Sequence, residues 1–299
     1  MDLRQFQQFL TLAETLNFRR AADKLHMAQP PLSVSIRKLE DEVGAALFTR
    51  GKDGVKLTGS GEAALADARR ALFHAAQFRQ AARAAATGEG GTLRIAFVGS
   101  ATHAVLPRIL PRFRQLYPGV KLVLREAISI RLMQQVEEQT VDIGVVRVPV
   151  AFGSNTRLAT LQTETFVLAM PRSHPLAKRT NLRLRDLSDE DFILYSDSDA
   201  PGLRTAALHA CQLRGFMPRV AQEAIQVQTV LSLVEAGLGI ALVPSVSRRF
   251  SSRNVIYKTL SDMPASAAIG ISLAWNPAAE SAAARHFREV AVQAFAGSA

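Results

Sequence analysis

Residues 29–58 read QPPLSVSIRKLEDEVGAALFTRGKDGVKLT, and this stretch decides the fold of the N-terminal part of the chain. Leu32, Ile36, Leu39 and Val43 follow one another at spacings of four, three and four, which places them in one narrow sector of a helix. Pro30-Pro31 suits the first helical turn, where a missing N–H leaves nothing unpaired. Gly44 supplies the stop. Opposite the apolar sector lie Pro30, Val34, Arg37 and Lys38, with Pro31 and Ser33 on the flanks, and no long acidic side chain intervenes before Asp41. A short, basic face of this kind fits the major groove of DNA, where Ser reaches base edges and Arg or Lys reaches guanine or phosphate. On periodicity alone, a merely solvated basic face satisfies the pattern equally well. The second half, Leu47-Phe48-Thr49-Arg50, then Gly51-Lys52-Asp53-Gly54, then Val55-Lys56-Leu57-Thr58, predicts a β-hairpin wing around a Gly-rich turn. That wing would lay Arg50, Lys52 and Lys56 along phosphates.

Upstream, Leu3, Phe6, Leu10 and Ala13, widened by Phe9, predict an amphipathic helix. Asp2, Arg4 and Glu14 among its apolar residues distinguish it from a secretion segment. Asn17 is the expected N-cap of a short second helix that turns Phe18, Ala21, Ala22 and Leu25 inward. Downstream, residues 58–87 hold no proline and much alanine, and Gly88, Gly90 and Gly91 close the segment. One helix of about 45 Å is expected there. Its stripe of Leu65, Leu72, Phe73, Ala75, Phe78 and Ala82 predicts pairing with the same helix of a second subunit, in preference to packing against its own sensor domain.

Ala21-Ala22-Asp23-Lys24-Leu25, Gln29-Pro30-Pro31-Leu32-Ser33, Ile36, Leu39-Glu40, Val43-Gly44, Leu47-Phe48-Thr49-Arg50 and Leu57-Thr58-x-x-Gly61 resemble, in order and spacing, the N-terminal signature of LysR-type transcriptional regulators. The resemblance implies a winged helix-turn-helix in which Gln29, Pro30, Pro31 and Ser33 contact bases or sugars and Arg50 contacts the backbone. It also implies double-stranded DNA as partner, a homodimer or homotetramer, and contact with RNA polymerase. The chain departs from the signature at Ala28, where the family often has Ser, and at Val34, where it often has Arg. Val34 meets either a thymine methyl or the sugar-phosphate wall, and both readings stay open.

From residue 91 the pattern alternates. Strands are expected at 93–98, 120–125 and 141–147, with helices at 102–117, bent around Pro107 and Pro111, and at 130–139. Strands at 165–169, 219–222, 240–243 and 268–275 follow, with helices at 201–214, 227–236 and 280–295. This predicts an α/β arrangement with a parallel sheet covered on both faces. The expected domains are 1–58 for the winged head, 59–90 for the linker helix and 91–299 for an effector-binding region. The last would divide into 91–162 plus 267–299 and 163–266, with a cleft between. Leu106-Pro107, residues 141–145, 173–176 and 234–244 resemble the periplasmic-binding-like effector domains of the same family.

Ligands of open α/β sheets bind at the carboxyl ends of strands, beside helix N-termini. That rule nominates Ser100 and Thr102 after the first strand, Ser129 after the second and Arg147 at the end of the third. Gly202, Leu203, Val227 and Gln228 open helices across the cleft. Helix capping is the plainer role for Ser100 or Thr102, and a salt bridge the plainer role for Arg147. The order Gly99-Ser100, Ser129, Arg147, Pro201-Gly202-Leu203 resembles the aromatic-acid-sensing branch of the family, which implies a carboxylic acid effector; Leu203 stands where that branch can carry an aromatic residue.

Other chemistries find little support. His26, His74, His103, His174, His209 and His286 lack metal-ligand spacing, and Cys211 is a lone cysteine expected to be inert. No nucleophile elbow, P-loop or dinucleotide glycine motif occurs, so neither an enzyme nor a cofactor is expected. A cytoplasmic solute-binding protein or an enzyme on the same fold is the alternative, and the DNA-reading head argues against it. The uncharged stretch 263–279 is too short and polar to span a bilayer, and a cytoplasmic protein is expected. The formal charge of +10 divides as +2 over residues 1–60, +1 over 61–90 and +7 over 91–299, so most of it lies outside the head.

Overall fold

The computed structural model describes every residue except 52–53, 88–89, 152, 250–252 and 297–299, and for 80–81 and 83–87 the backbone alone. Lys52 of the expected wing therefore lies outside the described residues. The chain divides into two units, one built on Met1–Gly91 and one on Thr92–Glu137 and Val141–Ala299.

The first unit comprises α1 (Leu3–Thr15), α2 (Phe18–Lys24), α3 (Gln29–Val43), β1 (Phe48–Gly51), β2 (Gly54–Leu57) and α4 (Gly59–Thr87). Asp2 and Gln5 cap α1 reciprocally, and the Asn17 side chain accepts the Arg20 N–H at the start of α2. Phe9, Leu12, Ala21, Ala22, Leu32, Ile36 and Leu39 form the core, and the Phe9 and Phe48 rings meet edge-on at 5.6 Å. Val43 departs from expectation: it is 45% exposed, because the chain leaves α3 at Gly44 with φ 76° and the stripe's last member sits at the unit's edge. The hairpin has the expected register, Phe48 opposite Leu57 and Gly51 opposite Gly54. Glu40 ties it to α3, its Oε1 accepting the N–H groups of Leu47 (2.9 Å) and Phe48 (3.0 Å). The linker helix packs its first part on the chain's own head, with Ala68 buried and Ala64 and Leu65 against the same core, whereas Phe78 farther along the stripe is 76% exposed.

In the second unit β3 (Thr92–Phe97), α5 (Leu106–Leu116), β4 (Lys121–Glu126), α6 (Ser129–Glu137), β5 (Ile143–Val148) and β6 (Arg157–Glu164) come first. Then follow β7 (Phe166–Pro171), β8 (Asp191–Tyr195), α7 (Pro201–Gln212), β9 (Arg219–Ala224), α8 (Val227–Glu235), β10 (Ala241–Pro244) and β11 (Val255–Lys258). β12 (Ile269–Trp275) and α9 (Ala282–Phe295) close the chain. The first sheet has the order β4-β3-β5-β12-β6, parallel at β4-β3-β5 and antiparallel where β12 meets β5 and β6. β10-β7-β11 is antiparallel, β8-β9 is parallel, and a bridge joins Phe192 to Ile240. Each set of strands has its own core, one running through Leu93, Ile143, Phe113 and Phe287, the other through Phe166, Phe192 and Val230.

Two sequence expectations fail here. The first sheet is mixed rather than parallel, since β12 inserts antiparallel between β5 and β6, which run parallel to each other. The helix expected from 102 begins only at Leu106, after a 3-10 turn at Gly99–His103. Pro107 has no N–H to continue an α-helix through this point, so a new helix starts with the proline in its first turn.

Candidate functional site

On the first unit Gln29, Pro30, Pro31, Val34, Arg37 and Lys38 are exposed along one side of α3, with Ser33 half-buried beside them. Val34, at 68% exposure, is the apolar centre of a basic face. Arg50 is already engaged, its guanidinium 3.3 Å from Glu40 and 4.9 Å over the Phe18 ring. Held this way it is an ordered cation at the base of the wing.

The second unit contains a cavity of about 500 Å³. The parallel strands β3, β4 and β5 all point their carboxyl ends at it and deliver Ser100, Ser129 and Arg147 to its wall. α7 and α8, which follow β8 and β9, deliver Gly202, Leu203 and Val227. Six of the eight nominated residues therefore meet in one place. Thr102 and Gln228 do not belong to the lining: the Thr102 hydroxyl donates to the Gly99 carbonyl at 2.6 Å, and the Gln228 amide lies 3.3 Å from His103 Nε2.

Arg147 organises the wall. One terminal nitrogen donates to Glu164 Oε1 at 2.8 Å and the other to Ser100 Oγ at 2.8 Å. Its main-chain N–H donates to Ser129 Oγ at 3.0 Å, and its Nε is buried with no hydrogen-bond partner. Glu164 spends its second oxygen on the N–H of Val246, 3.2 Å away. Because Ser100 accepts from Arg147, its own O–H is left to donate. Neither α7 nor α8 has a side-chain cap, so the N–H groups of Gly202, Leu203 and Val227 have no intrahelical acceptor. The Tyr195 phenol is fully buried nearby; desolvation holds its pKa above the ordinary tyrosine range, the field of Arg147 opposes that, and Glu164 adds to it.

Gly202 is fixed by close approach, since a Cβ there would stand 1.8 Å from the Pro149 carbonyl oxygen. Sequence reasoning missed three residues, Glu164, Pro149 and Asp199. Glu164 and Pro149 carry no motif and matter only through pairing and topology. Asp199, in the run Ser196-Asp197-Ser198-Asp199 before a proline-started helix, had a readable signal, an acid just ahead of a helix N-terminus.

Residues 3–62 match the model for bacterial regulatory helix-turn-helix proteins of the lysR family, and residues 86–296 match the LysR substrate binding domain. The chain belongs to the LysR family of transcriptional regulators. Among relatives of this LysR-family chain, the HTH-type transcriptional regulator AlsR of Bacillus subtilis (strain 168) is 39% identical over 260 residues, 87% of this chain and 86% of its own. The HTH-type transcriptional regulator BenM of Acinetobacter baylyi is 34% identical over 275 residues, 91% of this chain and 90% of its own. Among solved structures, full-length BenM aligns with a TM-score of 0.61 at 32% identity, covering 100% of this chain and 98% of that one. The LysR-family regulator CbnR aligns at 0.78 and 24% identity over 99% of both chains, a likeness of fold. These relatives are regulators rather than enzymes, which sets aside the enzyme and solute-carrier alternatives. Among the described residues no helix is long and apolar enough to cross a membrane.

Proposed function

We propose that this LysR-family regulator is switched by a small carboxylic acid bound in the cavity between α7, α8 and the ends of β3, β4 and β5. The observation that carries this reading is the donor set. The Ser100 hydroxyl and the uncapped starts of α7 and α8 meet at a largely apolar cavity that Arg147, its buried Nε unpartnered, and Ser129, its O–H turned to the Arg147 carbonyl at 3.4 Å, also line. Uncapped helix N-termini and a planar guanidinium are what a carboxylate pairs with. Ligand contact is assigned to Ser100, Ser129, Arg147, Gly202, Leu203 and Val227. DNA contact is assigned to Gln29, Pro30, Pro31, Ser33, Val34, Arg37 and Lys38, with Arg50 on the backbone. The effector region is taken as two subdomains, 91–162 with 267–299 and 163–266. The assembly is a homodimer or homotetramer joined in part through α4, acting in the cytoplasm on double-stranded DNA and RNA polymerase.

A thermal-shift screen of the full chain against aromatic and aliphatic carboxylic acids tests the reading. An acid at about one hundred times its dissociation constant stabilises by about 2.7 kcal/mol, a readily measured shift. No shift from any acid, with amines or sugars shifting instead, would overturn the carboxylate assignment and leave the family intact.

A further inference from the structure

Among the described residues, the ionisable groups that line the cavity are Arg147 and Asp199. Arg147 is the cation of the wall, and Glu164 at 2.8 Å already balances its charge. Asp199 lines the same cavity from the loop before α7. Its Oδ2 accepts from the Ser196 hydroxyl at 2.9 Å and the Ser198 hydroxyl at 2.6 Å. Those bonds, Ser198 first, hold the Asp199 carboxyl below its ordinary pKa, so it is anionic at neutral pH. Glu126, exposed at the end of β4, stands beside Gly99, close enough that a Cβ on that glycine would lie 2.5 Å from its Oε1. With Arg147 and Glu164 cancelling, the charge left in the lining among the described residues is that of Asp199.

A ligand with one carboxylate can place it on the donors and its neutral body on the apolar wall. A second carboxylate has no cation to meet and faces Asp199. We propose that the effector is a monocarboxylate, and that Asp199 is the specificity-determining residue that turns dicarboxylates away. This inference rests on the carboxylate reading of the same cavity. It also places the excess of +7 over residues 91–299 elsewhere than in the ligand site.

The test measures dissociation constants by calorimetry on the full chain, using two matched pairs, benzoate with isophthalate and hexanoate with adipate. Wild type is compared with Asp199→Asn, which keeps the shape and an oxygen to accept from Ser196 and Ser198. The monoacid is expected to bind more tightly in wild type. In Asp199→Asn the ratio of diacid to monoacid dissociation constants should fall about fivefold to tenfold at low salt. An independent readout needs no variant. Because Asp199 is open to solvent, the wild-type discrimination should shrink as ionic strength rises from about 0.02 to about 0.5 M, whereas a steric filter would not respond to salt. Monoacids that bind with a ratio unmoved by both the variant and salt would overturn the role of Asp199 while leaving the carboxylate reading in place. A wild type that prefers the diacids would do the same. Failure of all four acids to bind either protein would overturn both.

Discussion

Replacing Glu164 by Gln isolates what the buried ion pair contributes. The Arg147 and Glu164 side chains are 6% and 1% exposed and meet at 2.8 Å, while the other Glu164 oxygen takes the Val246 N–H at 3.2 Å. Gln fills the same volume but has one acceptor arm for two donors, so its NH2 must face either Arg147 or Val246. The guanidinium also loses its counter-charge. Breaking a buried pair from one side costs about 3–5 kcal/mol. At about 2–4 °C per kcal/mol for a unit of 150–250 residues, the melting temperature should fall by roughly 6–20 °C. The same change frees a cation in the cavity wall, so a bound carboxylate replaces the missing charge. Carboxylate affinity should rise at least about tenfold, which corresponds to about 1.4 kcal/mol. Scanning calorimetry without ligand and titration calorimetry with benzoate measure the two effects, which run in opposite directions. A melting temperature within about 2 °C of wild type with unchanged affinity would refute the view that this pair organises the wall.

Gly202→Ala introduces a Cβ 1.8 Å from the Pro149 carbonyl, so the start of α7 must move off the β5 end of the cavity. The overpacking should cost about 1–3 kcal/mol and weaken effector binding measured by calorimetry; unchanged affinity would mean that the contact yields freely. Ala28→Ser restores a residue that normally caps a helix for about 1 kcal/mol, but Pro30 and Pro31 occupy the two positions whose N–H groups a cap would bind. Stability by chemical denaturation should therefore change by less than about 0.5 kcal/mol. Burial pushes the Cys211 thiol up to about 12 from 9.0. A proton held more tightly when folded stabilises fully below about pH 9 and progressively less from there to about pH 12. Cys211→Ala should flatten that part of the pH–stability curve, and the native thiol should resist alkylation at pH 8.

The head was legible because its information is local. Asn17, Pro30-Pro31 and Gly44 each fix a backbone conformation within a few residues, and the structure uses every one of them, while Gly51 and Gly54 pair at the end of the hairpin. The second unit was legible in its helices and in which strand ends and helix starts meet, so Ser100, Ser129, Arg147, Gly202, Leu203 and Val227 line one cavity. Strand direction was not legible. A buried run such as Ile269–Trp275 reads the same in either orientation, and β12 returns antiparallel because the chain comes back from the other set of strands. β6, β8 and β11 were not expected, although β6 runs for eight residues and Ser196-Asp197-Ser198-Asp199 closes β8. Thr102 was expected at a helix start and lies in a 3-10 turn. There its hydroxyl folds back onto Gly99 instead.

The position of Glu164 connects the ligand wall to the rest of the unit. It is the last residue of β6, separated by Thr165 alone from β7, which begins the second set of strands, and its far oxygen holds the Val246 N–H just beyond β10. Its near oxygen holds Arg147, which in turn holds Ser100 at the cavity. A carboxylate arriving at Ser100 and Arg147 Nε therefore competes with Glu164 for one guanidinium, and any loosening of that pair is felt where the chain passes between its two cores. Gly202 against Pro149 is a second contact of the same kind, made by backbone rather than charge. A ligand shifts a conformational equilibrium only by its differential affinity for the states involved. Under the proposed carboxylate site that difference has a physical source, because ligand and Glu164 would draw on the same Arg147 charge.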